Sequence, residues 1–286
     1  MTSTKAEKVQ TPFTSGAIDT DIAFWTGPGN IATRLAPYFD QIVGSDVNDA
    51  ALAAAPHIVP KEYQSRMHFL NSPAEALAQA PIPEAIGKGN TDLAMVGECI
   101  PLLDREKSLE AFHAMLRPGG TLAIYFYGRP IFTGGDAARM DALYDKIATR
   151  ICQFLWPIKE TPGFPFFHRA AEAMESWLDN IAFPADQWEK VERHKWNDFP
   201  LLMCAKEGFD FEFDRVDRRG VGEVAKDTID RSFWSGEWDA GRVANFLSSA
   251  FPNYEEKAGE KYAEIEKMVK DMSEAIHFPG CSSPGY

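Results

Sequence analysis

The chain reads as an α/β protein built on a doubly wound, mostly parallel sheet, with a helical insertion over the ligand end. Three observations predict this. Short apolar runs alternate with helical periodicity across residues 22 to 127, a glycine turn joins the first run to the first helix, and an acidic residue closes the second run. Strands that alternate with helices pair in parallel, because each parallel neighbour is reached by a right-handed crossover. Such sheets bind ligands beyond the carboxyl ends of their strands.

Each element has its own warrant. Ile22 to Trp25 is a short apolar run, and the turn Gly27-Pro28-Gly29 follows it. Asn30 to Phe39 has helical spacing, with Ile31, Leu35 and Tyr38 on one face. Gln41 to Gly44 is a second run, closed by Ser45-Asp46, and the alanine-rich stretch 50–55 predicts a helix. Met67 to Leu70 is a third strand, followed by Asn71-Ser72-Pro73 and a short helix over 74–79. Asp92 to Val96 is a fourth strand ending at Gly97-Glu98, and Leu109, Phe112 and Leu116 mark a helix over 105–116. Arg117-Pro118-Gly119-Gly120 predicts a turn, and Thr121 to Tyr127 a fifth strand.

Beyond Gly128 the rhythm changes. Met140, Leu143, Ile147, Ile151 and Phe154 predict a long helix over 136–156, and 157–167 reads as a loop. A second helix over 170–181 carries Met174, Trp177 and Ile181. An amphipathic helix over 254–276 carries Tyr254, Ala258, Tyr262, Ile265, Val269, Met272 and Ile276. The expected organisation is a loose segment over 1–20 and a single domain over 21–286, in which 134–200 is a helical cap.

Composition narrows the function classes. A net charge of −13 argues against polyanionic partners, so neither nucleic acid nor an anionic membrane surface is expected. No run approaches the roughly 20 apolar residues of a membrane span, and the first ten residues lack an apolar signal core. The cysteines Cys99, Cys152, Cys204 and Cys281 form no CxxC pair and sit at no metal-ligand spacing with histidine. Scattered cysteines fit reduced thiols, hence a cytoplasmic protein. A small-molecule substrate is expected, with biosynthetic enzymes as possible partners and no metal.

The glycine turn and Asp46 carry the first chemical signal. Gly27 and Gly29 let backbone N–H groups approach a ligand with no Cβ in the way. Asp46 lies 17 residues after Gly29, near the spacing of about 20 at which a carboxylate binds ribose hydroxyls in doubly wound folds. The competing reading of Asp46 is a helix N-cap.

Four ordered segments extend the signal: Thr26-Gly27-Pro28-Gly29, Val43-Gly44-Ser45-Asp46, Asn71-Ser72-Pro73-Ala74-Glu75 and Leu116-Arg117-Pro118-Gly119-Gly120-Thr121-Leu122. Over residues 20 to 128 this set resembles a Rossmann-like class I S-adenosylmethionine-dependent methyltransferase, and within that class the trans-aconitate methyltransferase-like group. The resemblance implies S-adenosylmethionine as cofactor. Gly27 and Gly29 would lie under its methionine part, Asp46 on the ribose diol and Val47 beside the adenine. Ser72, Ala74 and Glu75 would lie near the adenine edge. Gly97 and Glu98 would flank the sulfonium and the acceptor, with Glu98 the best-placed carboxylate for catalysis. Tyr127, Trp177 and Trp234 are the candidate acceptor contacts, although aromatic residues at such positions also pack cores.

The chain also departs from the family pattern. Ala23 stands where the family has an acidic residue, and Trp25 stands at the first glycine of the turn. Residues 1–20 contain no tyrosine-rich lead-in with an Arg-Pro pair. Pro101-Leu102 stands where the group often carries His-Trp. The leading expectation is methyl transfer to a small, aromatic or hydrophobic metabolite in secondary metabolism. The alternative is a methyltransferase fold that binds or steers a metabolite, or catalyses a cofactor-independent rearrangement, without methylating it.

Overall fold

Each apolar run of the first half becomes a strand. The computed structural model describes residues 21–25, 29–134, 136–155, 158–233, 235–251 and 254–276, with residues 21–25, 30 and 276 described by their backbone alone. Strands β1 (Asp21–Trp25), β2 (Gln41–Asp46), β3 (Met67–Asn71), β4 (Thr91–Gly97) and β5 (Leu116–Tyr125) form one sheet in the order β3-β2-β1-β4-β5. Every pairing in it is parallel. Ile22 lies between Ile42 and Leu93, and Phe24 between Gly44 and Met95. The chain winds outward from β1 to β3, then returns to the far side of β1 at β4. The switch point that opens a ligand crevice therefore falls between β1 and β4.

The chain divides into two compact units, 1–125 and 126–286. In the first unit, α1 (Asn30–Leu35) runs into a 3-10 turn, Ala36–Tyr38, with Pro37 in its first turn. Proline cannot donate the next i→i−4 hydrogen bond, so the helix tightens there. The buried face rotates accordingly. Ala32 and Ala36 are fully buried with Phe39, Ile42, Val59 and Met67, whereas Tyr38, expected on the buried stripe, is 66% exposed. Helix α2 (Asp49–Ile58) is capped by Asn48, whose Oδ1 accepts from the Ala50 and Ala51 amides at 3.0 and 3.2 Å. Residues 74–79 form a 3-10 helix, and α3 (Arg105–Met115) buries Leu109, Phe112 and Met115.

The predicted turn at Arg117–Gly120 is a bulge inside β5. Thr91 pairs with Leu116 and Leu93 with Thr121, so four residues loop out against one on the partner strand. Gly119, at φ 77°, supplies the left-handed bend.

The second unit contains α4 (Ala137–Leu155), α5 (Phe164–Glu175), β6 (Glu192–Trp196), β7 (Val224–Thr228), α6 (Ala240–Ala250), α7 (Tyr254–Ala258) and α8 (Tyr262–Ile276). Its core joins Met140, Tyr144, Ile147 and Ile151 of α4 to Leu247, Ile265 and Met272. Three expectations change here. Helix α5 starts at Phe164, inside the predicted loop, because Pro165 fits the first helical turn. The stretch 134–200 is not wholly helical, since β6 pairs in parallel with β7 as a separate two-stranded ribbon. The long C-terminal helix is broken at Gly259, which adopts φ 54° and opens a 3-10 turn, Gly259–Lys261, between α7 and α8. Among the described residues no helix is long and apolar enough to cross a membrane.

Candidate active site at the carboxyl ends of the strands

Gly29 caps α1 with φ 89°, a conformation that side chains other than glycine adopt at a cost. A Cβ there would stand 3.3 Å from the Phe69 ring and 3.7 Å from the Ala55 Cβ. Gly27 lies outside the described residues, as do the side chains of Ala23 and Trp25.

Asp46 ends β2 and is 7% exposed. Its Oδ1 accepts from the Asn48 amide at 2.9 Å, and Asn48 performs the capping of α2. The N-cap reading of Asp46 is therefore set aside: its carboxylate is aimed by the chain rather than used up by a helix. Val47, the next residue, is 55% exposed. The tips of β2 and β3 are tied together. Ser45 Oγ donates to the Ser72 carbonyl at 2.7 Å, and the Ser72 amide donates to the Asp46 carbonyl at 3.1 Å. Asn71 Nδ2 donates to Asp49 Oδ1 at 2.6 Å. Ala74 is fully buried. Glu75 Oε1 accepts from the Asp104 amide at 2.9 Å, which pins the entry of α3.

At the end of β4, Gly97 carries the Tyr125 side chain directly against its backbone, in space that a Cβ would occupy. Glu98 follows with φ 60°, a left-handed conformation that is uncommon for a side chain of this kind. Its amide donates to the Tyr125 carbonyl at 3.1 Å. Cys99 comes next, 7% exposed. Burial pushes its thiol far above the usual range, and the negative charges of Asp46, Glu98 and Glu75 push it further. Three carboxylates from the ends of β2, β3 and β4 thus bear on one buried thiol. The sequence carried no sign of Cys99 except its place beside Glu98.

The candidate acceptor contacts Tyr127 and Trp177 both belong to the second unit and are half-buried. Trp177 is not helical as expected: α5 ends at Glu175, and Trp177 and Leu178 adopt φ 53° and 60°. Arg193 of β6 holds this reversal by donating to the Leu178 and Ile181 carbonyls at 2.9 and 2.7 Å. Its Nε donates to Glu223 Oε2 at 2.6 Å, with both side chains at most 10% exposed. Trp234 lies outside the described residues. Of the other aromatics of this unit, Trp238 is buried in the core and Phe164 packs edge-on against Phe211. Trp196 and Phe233 stack at 4.2 Å and remain more than a third exposed. A groove of about 360 Å³ in the same unit is lined by Asp145, Arg150, Glu207 and Glu264. Arg150 and Glu264 already pair across it at 2.9 Å, and it contains no predicted site residue. The described residues hold no cluster of three or more metal-ligating side chains.

An all-parallel sheet of this order, with a glycine-capped first helix and a buried acid at the end of the second strand, defines a class I methyltransferase domain. Residues 22–124 match the methyltransferase domain family. Methyltransferase ptaI of Pestalotiopsis fici is 50% identical, over 96% of this chain and 94% of the relative. Methyltransferase cfoB of Aspergillus candidus is 31% identical, over 89% and 80% of the two chains. Methyltransferase pgmE of Aspergillus terreus is 30% identical, over 88% and 75%. The chain belongs to the methyltransferase family; it is a transferase whose cofactor is S-adenosylmethionine.

Proposed function

We propose that this methyltransferase acts on a small, aromatic or hydrophobic metabolite of secondary metabolism, with the binding site at the carboxyl ends of β1, β2 and β4. The observation that supports this reading is Asp46, buried at the carboxyl end of β2 with its carboxylate held by the Asn48 amide, on a parallel sheet whose order reverses at β1 and β4. Bound S-adenosylmethionine supplies an electrophilic methyl group on a sulfonium, and it also carries an ammonium. A carboxylate at this strand end suits the ribose hydroxyls of such a ligand.

In this reading Asp46 accepts from the ribose diol, held in place by the Asn48 amide. Gly29 caps α1 beneath the methionine part, and the family resemblance assigns Gly27 to the same place. Val47 lies beside the adenine, with Ser72, the Ala74 backbone and Glu75 at its edge. Gly97 and Glu98 stand at the point of transfer, where Glu98 orients the acceptor or receives its proton. Alignment of two bound reactants alone supplies roughly 7–11 kcal/mol of barrier lowering, so a single carboxylate suffices as acid–base equipment. The resemblance of the four motifs supports the trans-aconitate methyltransferase-like group as its subgroup.

Calorimetric titration with S-adenosylhomocysteine tests the site. Micromolar affinity is expected. Absence of heat at millimolar ligand would overturn the proposed site and favour the non-methylating alternative. A paired Ala23→Asp, Trp25→Gly variant then tests the two departures from the family pattern. Tighter binding shows that these positions restrain the site, and unchanged binding shows that they do not.

A further inference from the structure

Two of the buried cysteines meet in the second unit. Cys152 lies on the core face of α4, and Cys204 precedes the 3-10 turn Lys206–Gly208. Each is 3% exposed, and their sulfurs stand 2.6 Å apart although the residues are 52 positions apart in sequence. A bond of about 2.05 Å is reached by a movement of roughly half an ångström. The surroundings are shaped for the approach. A Cβ at Gly208 would stand 2.9 Å from the Cys204 Sγ and 3.0 Å from the Cys152 Cβ, so only glycine lets the turn close over the pair.

We propose that Cys152 and Cys204 form a disulfide that staples α4 to the Lys206–Gly208 turn when the chain meets a disulfide oxidant such as glutathione disulfide. One protein thiolate attacks a glutathione sulfur and expels glutathione thiolate. The second protein thiolate then attacks the mixed disulfide at the protein sulfur and expels the other glutathione. The protein loses two electrons and two thiol protons, and one glutathione disulfide becomes two glutathiones. Contact with Cys152 and burial push the Cys204 thiol upward, so thiolate is scarce in the closed core. The exchange accordingly proceeds as the core forms or opens. The other two cysteines stand apart from it: Cys99 sits among carboxylates in the first unit, and Cys281 lies outside the described residues.

The test is to refold the full chain from urea with glutathione disulfide, quench in acid and alkylate with N-ethylmaleimide under denaturing conditions. The fraction that regains the native circular dichroism spectrum is then weighed. Intact mass falls from four maleimide adducts to two, and dithiothreitol restores four. Tryptic mapping links peptide 151–159 to peptide 196–206. A Cys99→Ser, Cys281→Ser variant keeps the link, and oxidation raises the urea midpoint of the parent but not of Cys204→Ser. Four adducts in the native fraction, glutathione adducts without the link, or a link through Cys99 or Cys281 would each overturn the proposal.

Discussion

At the scale of single residues, the site depends on side chains whose direction the backbone sets. Asn48 performs the capping and its amide orients Asp46. Replacing Asp46 by Asn keeps an oxygen for the Asn48 amide but removes the charge offered to the ribose diol. Hydrogen bonds to a charged group contribute about 1.5–3 kcal/mol, so calorimetry should show S-adenosylhomocysteine bound at least tenfold more weakly, with an unchanged urea midpoint. Gly97 poses a different problem, because the Tyr125 side chain fills its Cβ position. Gly97→Ala must displace that ring, and overpacking of this kind costs about 1–3 kcal/mol. Adding Tyr125→Ala should lower that cost. A double-mutant cycle without coupling between the two positions would refute the contact. Asp46 was legible in the sequence because it closes the second apolar run 17 residues after Gly29. Cys99 was not, because a thiol's significance depends on which charges bear on it, and beside its neighbour Glu98 those are Asp46 at the end of β2 and Glu75 in the 3-10 helix after β3.

At the scale of elements, the first unit was readable and much of the second was not. Parallel strands buried on both faces appear as unbroken apolar runs, and Ile42, Val43, Ala94 and Val96 fit that description. Strands β6 and β7, by contrast, read Glu-Arg-His-Lys-Trp and Val-Ala-Lys-Asp-Thr, with no apolar signature. Ion pairs form across the ribbon instead: Lys226 donates to Glu192 at 2.7 Å, and Arg193 reaches Glu223, just before β7. Pairings between charges distant in sequence leave no local pattern. The end of α5 was hidden for a similar reason, since Trp177 and Leu178 turn left-handed under Arg193. Arg193→Ala would leave Glu223 buried without its guanidinium, a loss of about 3–5 kcal/mol. Urea unfolding should register it, and Arg193→Met with Glu223→Met should recover most of it.

At the scale of the molecule, each of the two units has a buried core among its described residues, and the proposed cofactor residues all belong to the first unit. Ligand that binds the folded form stabilises it by about 2.7 kcal/mol at a hundred times its Kd. Saturating S-adenosylhomocysteine should therefore raise the calorimetric melting temperature. The Asp46→Asn variant should need a tenfold higher concentration for the same rise; equal response of the two proteins would remove Asp46 from the site.

The strand order has a further consequence, which concerns time rather than space. The central strand β1 finds one neighbour soon, since Asp21 faces Gln41, but its other neighbour only at Leu93, which faces Ile22. Until β4 has left the ribosome, one edge of the future centre of the sheet is bare. Pairings of such long sequence separation form slowly and leave strand edges open to other chains. The same return stroke that creates the ligand crevice thus makes the nascent chain most vulnerable before its crevice exists.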